Sequence, residues 1–369
     1  MKPAFNFRMT YILLPLMIFY NISAVAQEPD TSNTDNATDN WFAYPYFFYT
    51  PETKFAFGGG GIFFFRETEQ NLKSKPSKII ANAFYTTQKQ YLTELVPEFY
   101  FNNSEYYISA YFTFFKFPLK YYGIGNSTND EDVENFTNRR IKFSLNAQKK
   151  IYDEIRIGIV FEFASDKIYE FEEGKSLSKK TVTGSSGGIS SGIGLIFTWD
   201  SRDNILNPSS GEYFIMSGTG FGRMTGSDFN FTALLFDLRK YFSINSDQVI
   251  ALQLYGNFLM NNPPFYQLAQ LGGELLLRGY YKGRFRDKFY LASQIVYRIP
   301  VWWKFGIVTF VGIGDVTNSF SNFALNRLKY SYGAGLRFQI DEKEKLNLRM
   351  DFGIGKNSTG FYIGIGEAF

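Results

Sequence analysis

The chain contains no histidine and no cysteine among its 369 residues. Imidazole and thiol groups are therefore absent, which excludes cysteine nucleophiles, Ser–His pairs and the usual zinc and haem sites. The chemistry that is left open uses carboxylate, hydroxyl or lysine side chains. We therefore predict that the protein is not an enzyme and that it carries no cofactor and no metal.

A strong excess of one charge is also missing, since 38 Lys and Arg residues face 35 Asp and Glu residues, for a formal net charge of +3. Such a balance gives no reason to expect nucleic acid as a partner. Long apolar runs are missing too: no segment after residue 26 reaches the ~20 uncharged residues that a membrane-spanning helix needs. If the protein lies in a membrane, it must cross it as a closed β-barrel.

The amino terminus has the pattern of a secretory signal peptide over residues 1–26. Two basic residues precede an apolar core, Tyr11 to Ile22, and Ala24 to Ala26 form a small-residue cleavage site. The core is shorter than a spanning helix requires, which disfavours a retained membrane anchor. Residues 27–40 are polar and rich in Asn, Asp and Thr, so we predict a short disordered periplasmic tail.

What the sequence has in abundance is aromatic side chains, with 42 Phe and 26 Tyr, and this composition favours strands. From Trp41 onward, apolar and polar residues alternate in short segments that turn residues separate. We therefore predict an all-β fold, a transmembrane antiparallel β-barrel of about sixteen strands over residues 41–369. The predicted strands are 42–49, 55–66, 77–86, 90–101, 106–116, 137–148, 154–165, 187–199, 211–221, 228–242, 248–258, 288–300, 304–314, 328–340, 346–356 and 360–369.

The alternating segments place apolar groups on one face and polar groups on the other. Between residues 155 and 163 the odd-numbered positions are Ile or Phe, and the even-numbered positions include Arg156 and Glu162. A soluble sandwich would bury the apolar face, whereas a membrane barrel turns it towards lipid. Connections alternate between short and long, and all four Trp residues, at 41, 199, 302 and 303, fall at strand ends on one side. Both features favour the barrel, with short periplasmic turns and an aromatic girdle.

One connection is far too long for a turn, since residues 259–287 join strands 248–258 and 288–300. Connections beyond ~12–15 residues are uncommon and are usually functional or disordered. This one is rich in Leu, Gly and Tyr, which indicates that it packs against the protein. By the strand count it is the sixth outer connection, and Leu277 to Tyr280 lie near its end.

Three stretches of the sequence follow one another in a specific order. They are Trp199 to Asn204 with Pro208 to Gly211, then the motif Leu277, Arg278, Gly279 and Tyr280, and then the terminal Phe369. Together they resemble the BamA/TamA outer-membrane protein superfamily, whose barrel is also called the bacterial surface antigen domain. In that family the Arg-Gly-aromatic motif lies on the sixth outer loop. The resemblance therefore implies that the long sixth extracellular loop folds into the lumen, where Arg278 pairs with a carboxylate of the inner wall.

The carboxylate partner of Arg278 is missing from the position where the family usually has one. The aromatic-x-Asp pattern of the family reads Phe310-Val311-Gly312 here, so Gly312 stands where the aspartate is expected. Asp315 lies on the opposite side of a regular strand and would need a β-bulge near Gly314 to take its place. The candidate partners are Asp315, Asp351, Glu94, Glu98 and Glu162.

The last predicted strand is expected to meet the first at a weak seam. Gly364 and Gly366 reduce side-chain packing there, and an imperfectly paired edge offers backbone hydrogen bonds to an incoming strand. Phe361 and Phe369 are predicted on the apolar outer face. A last strand that ends in Phe resembles the assembly signal of outer-membrane barrels.

The resemblance implies a protein of the bacterial outer membrane that takes part in outer-membrane protein or lipid assembly or translocation, as a subunit of a larger complex. Its expected partners are the outer-membrane lipid bilayer and other outer-membrane or periplasmic proteins. Such family members usually carry periplasmic substrate-handling (POTRA) domains, and residues 27–40 are too few to form one, so we expect a member that lacks them. The alternative is a passive porin or transporter, because sixteen strands can enclose a channel.

Overall fold

The computed structural model describes residues 40–50, 54–65, 76–244, 248–342 and 344–369. The predicted signal peptide and the predicted tail, apart from its last residue, lie outside the described residues. Within the described residues, no helix is long and apolar enough to cross a membrane. The helical pieces found there are single 3-10 turns at Arg223–Thr225, Phe320–Asn322 and Leu325–Arg327.

The described residues form one antiparallel sheet of sixteen strands and a separate two-stranded ribbon. In the sheet each strand pairs with its neighbours in chain order, from β1 to β11 and then from β14 to β18, while β12 pairs with β13. This topology confirms the predicted all-β fold and its number of main strands. The strands are β1 Asn40–Thr50, β2 Lys54–Phe65, β3 Ser77–Thr86, β4 Tyr91–Phe101, β5 Tyr106–Tyr121, β6 Glu134–Tyr152, β7 Ile155–Tyr169, β8 Gly187–Asp200, β9 Gly211–Phe221, β10 Phe231–Ile244, β11 Gln248–Asn261, β12 Ala269–Leu271, β13 Phe285–Asp287, β14 Phe289–Trp302, β15 Phe305–Thr317, β16 Lys329–Asp341, β17 Leu346–Gly355 and β18 Ser358–Ile365.

Several strand ends differ from the predicted ones. β5 and β6 extend beyond the predicted ends at 116 and 137, because their ladder continues until Tyr121 pairs with Glu134. The last strand ends at Ile365 and does not reach 369, because Gly366 has a φ angle of +80° and turns the chain out of the ladder. Alternation of side chains marks the middle of a strand well, but it does not show where the backbone pairing stops.

The outer face of the sheet is apolar and exposed, whereas the inner face is largely polar and buried. On β8, for example, Leu195 is 68% exposed and Thr198 is 7% exposed. Leu195 pairs with Ile159 of β7, which is 56% exposed, so the exposed apolar surface continues across the ladder. This distribution is the inverse of that in a water-soluble protein, and it suits an exterior that faces lipid.

The two edges of the sheet approach each other. Ile62 and Phe64 of β2 form an apolar cluster with Leu346 of β17, and Phe42 of β1 and Ile365 of β18 pack against it. No backbone ladder joins β1 to β18 in the part of the chain that the structure describes. The sheet therefore curls until its edges meet through side chains, and we call the enclosed space the lumen and this meeting place the seam.

The connections at the two rims of the curled sheet differ in length. Most connections at one rim are short, such as 153–154 and 303–304, whereas the longest connections, 122–133, 170–186 and 262–288, all lie at the other rim. Since bacterial barrels have short periplasmic turns and longer outer loops, the first rim is the periplasmic one.

All four Trp residues lie at the periplasmic rim. Trp41 is near the start of β1, Trp199 is near the end of β8, and Trp302 ends β14 next to Trp303. Their exposed fractions range from 39% to 71%. Exposed indole rings at a single rim form the predicted aromatic girdle, because indole favours the membrane–water interface.

A cation on the outer face should destabilise the fold. Leu195→Arg places a charge near the middle of β8, and such a charge costs about 2–4 kcal/mol at the centre of a bilayer. Met224→Arg is the matched control, because Met224 is 103% exposed in the outer connection between β9 and β10. Urea titration in lipid vesicles should show a lower free energy of unfolding for Leu195→Arg alone. Equal stability of the two variants would contradict the assigned orientation.

Candidate functional site in the lumen

Residues 262–288, which we call loop 6, connect β11 to β14 and lie against the inner face of the sheet. β12 and β13 form a short ribbon within the loop. The ribbon packs with side chains of the neighbouring strands in one apolar cluster. This cluster contains Phe221, Phe231, Leu259, Ala269, Leu271, Leu277, Tyr280, Phe285, Tyr290, Ala292 and Val316. Burial of these side chains away from water favours the inward position of the loop.

The motif of loop 6 makes a tight turn that touches β17. Leu277 and Gly279 have positive φ angles of +49° and +110°. The turn lies directly over Gly353 of β17, where an added Cβ would come within 2.5 Å of the carbonyl carbon of Arg278. Glycine at this position of β17 therefore lets the loop backbone pack on the strand backbone.

Arg278 is completely buried, with 0% of its side chain exposed. Its Nη1 lies 2.7 Å from Oδ2 of Asp351 on β17. Its guanidinium carbon lies 3.5 Å from the ring centre of Phe310 on β15, and its Nη2 donates to Gln294 of β14 at 3.4 Å. An ion pair, a cation–π contact and a hydrogen bond therefore attach this one side chain to three strands.

Asp351 has two further cationic neighbours. Nη1 of Arg337 lies 2.6 Å from Oδ1 of Asp351, and Nη1 of Arg349 lies 3.6 Å from its Oδ2. Arg349 also pairs with Glu274 of loop 6 at 3.3 Å, and Arg337 pairs with Glu367 at 2.9 Å. Because buried charges are stable only when they are paired, this network ties loop 6 to β16, to β17 and to the segment that follows β18.

Burial and a neighbouring carboxylate act in opposite directions on the pKa of Arg278. Burial lowers the pKa of Arg278 to about 10, and the carboxylate of Asp351 acts in the opposite direction. The neighbouring Arg349 and Arg337 lower the pKa of Arg278 as well. A pKa of about 10 still leaves the guanidinium protonated at neutral pH. At neutral pH Arg278 and Asp351 therefore form an ion pair.

The turn is also held by β18 and by the connection before it. The N–H of Gly279 donates to the Tyr362 hydroxyl at 2.9 Å, and the Ser358 hydroxyl donates to the Gly279 carbonyl at 2.6 Å. The Tyr280 hydroxyl accepts the backbone N–H of Lys356 at 2.9 Å. These bonds satisfy polar groups of the turn, so loop 6 and the edge strand β18 stabilise each other.

Leu277 occupies the space next to Gly312, where the family pattern has its aspartate. An added Cβ at Gly312 would lie 3.3 Å from Cδ2 of Leu277, and one at Gly314 would lie 2.8 Å from Cδ1 of Leu277. A larger side chain at Gly312 would compete with Leu277 for the same volume. The partner of Arg278 is instead Asp351, which lies two strands further along the sheet.

The other four candidate partners contact different residues. Glu94 accepts the Tyr111 hydroxyl at 2.9 Å, Glu98 pairs with Lys78 at 3.2 Å, Glu162 pairs with Lys142 at 3.7 Å, and Asp315 contacts Asn126. The ladder of β14 with β15 is regular through Gly314, so no bulge turns Asp315 towards the loop. The three glutamates lie on β4 and β7, whereas Arg278 binds β14, β15 and β17.

The segment 366–369 turns into the lumen after β18. Phe369 is 5% exposed and packs against Tyr241, with 6.4 Å between the ring centres. The carbonyl of Phe369 accepts Nη2 of Arg298 at 2.7 Å. The prediction that Phe369 continues the outer apolar face is therefore wrong, because the positive φ at Gly366 reverses the direction of the chain.

The other residues of the predicted seam lie on both faces. Phe361 is 50% exposed on the outer face. Gly364 lies on the inner face, where an added Cβ would come within 2.8 Å of Nε of Arg349. Glu367 has 3% of its side chain exposed and pairs with Arg337. Gly364 therefore makes room for the buried Arg349 on the inner side of the last strand, and Glu367 pairs with Arg337 beyond its end.

Sequence reasoning missed Arg337 and Tyr362 as members of the site. In the ladders, Arg337 is opposite Arg349, and Tyr362 is opposite Asp351. The alternation of β17 already indicates that Asp351 and Arg349 share its inner face, so the register of the flanking strands would have found both residues. That register depends on the turns between the strands, which side-chain alternation alone does not specify.

Loss of the Arg278 side chain should destabilise the barrel. Breaking a buried ion pair typically costs about 3–5 kcal/mol, so Arg278→Ala should lower the free energy of unfolding by about that amount. Arg278→Lys should recover only part of it, because an ammonium group lacks the planar guanidinium that lies over Phe310. Urea unfolding in lipid vesicles measures both variants.

The matched control for this prediction is Lys149→Ala. Lys149 pairs with Glu105 at 3.4 Å, and its side chain is 58% exposed. Exposed pairs contribute at most about 1 kcal/mol, so this variant should unfold nearly as the unaltered protein does. A similar loss of stability in Lys149→Ala and Arg278→Ala would argue against a special role of the buried pair.

Comparison with known proteins identifies the family. The Omp85 superfamily domain matches residues 71–369 of the chain. No curated protein matches the chain. Among solved structures, BamA from Haemophilus ducreyi lacking POTRA domains 1-3 is similar, with a TM-score of 0.57 and 14% identity over 90% of this chain and 70% of that one.

Two further solved structures share the fold. CdiB from Acinetobacter baumannii has a TM-score of 0.57 and 11% identity, over 88% of this chain and 59% of that chain. CdiB from Escherichia coli has a TM-score of 0.58 and 8% identity, over 90% of this chain and 63% of that chain. The chain thus spans less than two thirds of either CdiB structure.

The family match takes in most of the sheet and the whole of loop 6. It confirms the resemblance inferred from the three sequence stretches. The sixteen-stranded sheet is accordingly an antiparallel barrel of the bacterial outer membrane, as the alternation and the aromatic girdle predict. The chain belongs to the Omp85 superfamily.

Proposed function

We propose that this barrel takes part in the assembly or translocation of proteins or lipids at the outer membrane, as a subunit of a larger complex. The observation that carries the proposal is the buried pair of Arg278 and Asp351, both with 0% of the side chain exposed. The pair fixes loop 6 inside the barrel, and a passive channel would gain nothing from an obstructed lumen. An assembly barrel would gain a fixed interior next to the edge strands β1 and β18.

Loop 6 also joins the neighbouring outer connections. Phe265 and Tyr266 of loop 6 share an apolar cluster with Leu177 of the connection 170–186. The N–H of Gly125, in the connection 122–133, donates to the carbonyl of Arg286 in loop 6 at 2.8 Å. Three outer connections are thereby packed together, which supports a barrel whose outer mouth is covered.

The edges of the sheet supply the surface on which assembly would occur. No ladder joins β1 to β18 within the described residues, so these two strands are the edges of the sheet at which a further strand would add. An incoming client strand pairs with such an edge through main-chain hydrogen bonds. Tyr362 and Ser358 of β18 bind the turn of loop 6, so the loop would hold one of the two edges in place.

A passive porin or transporter is the second candidate. On β6 and β7 the inner-face side chains of Lys142 and Glu162 keep 32% and 29% of their surface exposed. The side chains of this part of the inner wall are more exposed than those around Arg278. Charged side chains in contact with water would line a narrow passage beside loop 6.

In cells that depend on this barrel, Arg278→Ala should reduce folded outer-membrane proteins several-fold, because a released loop 6 no longer holds β18. The readout is the heat-modifiable mobility of resident barrels in outer-membrane fractions, with the amount of this barrel measured alongside. Lys149→Ala should leave those levels unchanged. Normal levels of folded clients, with a normal amount of the Arg278→Ala barrel, would count against the assembly role.

Conductance in planar lipid bilayers separates the two candidates. The intact barrel should conduct negligibly, because loop 6 obstructs the lumen and joins the connections above it. Replacement of residues 265–285 by a Gly-Ser linker of equal length should increase the current strongly. A steady single-channel current from the intact protein would favour the passive channel, and a folded linker variant without added current would show that loop 6 does not close the lumen.

A further inference from the structure

The connection between β8 and β9, residues 201–210, extends under the lumen at the periplasmic rim, and we call it the floor turn. Nη1 of Arg298, near the end of β14, donates to Oδ1 of Asn207 at 3.1 Å and to the carbonyl of Pro208 at 2.9 Å. Nδ2 of Asn204 donates to the carbonyl of Glu344, beside β17, at 3.4 Å. The floor turn therefore reaches strands that are far from β8 and β9 in the order of the sheet.

Leu206, in the middle of the floor turn, packs at the seam. It lies against the apolar cluster of Ile62, Phe64 and Leu346, to which Phe42 and Ile365 also belong as outer members. These residues come from β1 and β2 at one edge of the sheet and from β17 and β18 at the other. Leu206 belongs to neither edge, so it adds apolar contact at the place where the two edges meet.

Arg298 connects the floor turn with the segment that follows β18. While its Nη1 binds the floor turn, its Nη2 donates to the carbonyl of Phe369 at 2.7 Å, and its Nε lies 3.8 Å from Glu367. The side chain of Arg298 is 9% exposed, so little water can reach it to replace a lost hydrogen-bond acceptor. Movement of the floor turn would therefore leave a buried cation with fewer hydrogen bonds.

We propose that the floor turn closes the seam from inside at its periplasmic end, and that it must withdraw before β18 moves away from β1. The inference rests on the assembly role proposed above, since it concerns the edges at which a client strand would pair. Between β1 and β18 no ladder is found in the described residues, so side-chain contacts supply the cohesion there. A movement of the floor turn would remove two kinds of contact at this end of the barrel. These are the packing of Leu206 and the hydrogen bonds from Arg298 to Asn207 and Pro208.

Distance measurements between spin labels test this inference directly. The chain has no cysteine, so labels attach only where Cys is introduced. Ala43→Cys on β1 and Ile363→Cys on β18 place two labels on the outer face beside the seam. In purified barrels in lipid vesicles, Leu206→Asp should add a population whose label distance is longer by at least one strand spacing, about 5 Å. Leu206→Ala should produce a smaller population of the same kind.

The matched control is Ile205→Asp, which puts the same charge on the neighbouring residue of the floor turn, outside the cluster at the seam. A second label pair at Ile295→Cys and Val311→Cys, which are ladder partners on β14 and β15, should keep its distance in every variant. If Leu206→Asp does not fold, then Leu206→Ala and Asn207→Ala, which removes an acceptor of Arg298, carry the test.

An unchanged seam distance in all folded Leu206 and Asn207 variants, equal to that of Ile205→Asp, would overturn the inference. The measurement uses purified barrels without clients, so this result would leave the assembly role standing. Conversely, a seam that opens in Leu206→Asp while Arg278→Ala leaves client folding normal would support the floor turn and reject the assembly role.

Discussion

The structure depends on the burial of one guanidinium. Arg278 has no contact with water, and an isolated buried cation would be too costly to keep. Its surroundings supply what water would have supplied: Asp351 gives the opposite charge, Phe310 gives a ring face, and Gln294 gives an acceptor. Gly353 permits the close approach that places the charges together. Strands that are distant in sequence are thus bound through a single side chain of loop 6.

The ion pair is also the first member of a longer series of buried charges. From Asp351 the series passes to Arg337, then to Glu367, and then to Arg298 at the periplasmic rim. Each anion lies between two cations, which is how a low-dielectric interior tolerates several charges. The series therefore connects the docked loop with the segment after β18 and with the floor turn. The charges that hold loop 6 and the segment after β18 in place are therefore linked in one network, which ends at Arg298 beside the floor turn.

Much of the fold was predictable, because strand alternation is a local property of the chain. The repeat of two residues indicated the strands, their faces and their number, and the four Trp positions indicated the periplasmic rim. The family was predictable from the order of short motifs around Arg278 and in the floor turn. The prediction failed at Phe369, where alternation continued in the sequence but the backbone had already turned at Gly366. Glu367, a carboxylate in an apolar series, was the available signal of an inward turn.

The partner of Arg278 shows the limit of sequence reasoning. The sequence by itself offered five candidate carboxylates, and the family resemblance implied that Arg278 pairs with one of them. Only the tertiary structure shows that the partner is Asp351, because the choice depends on how deeply loop 6 enters the lumen and on which strand it packs. The same is true of Leu206, whose place at the seam follows from closure of the sheet. The alternation of side chains depends on residues that are adjacent in the chain. These contacts join residues that are distant in the chain and come together only when the sheet curls.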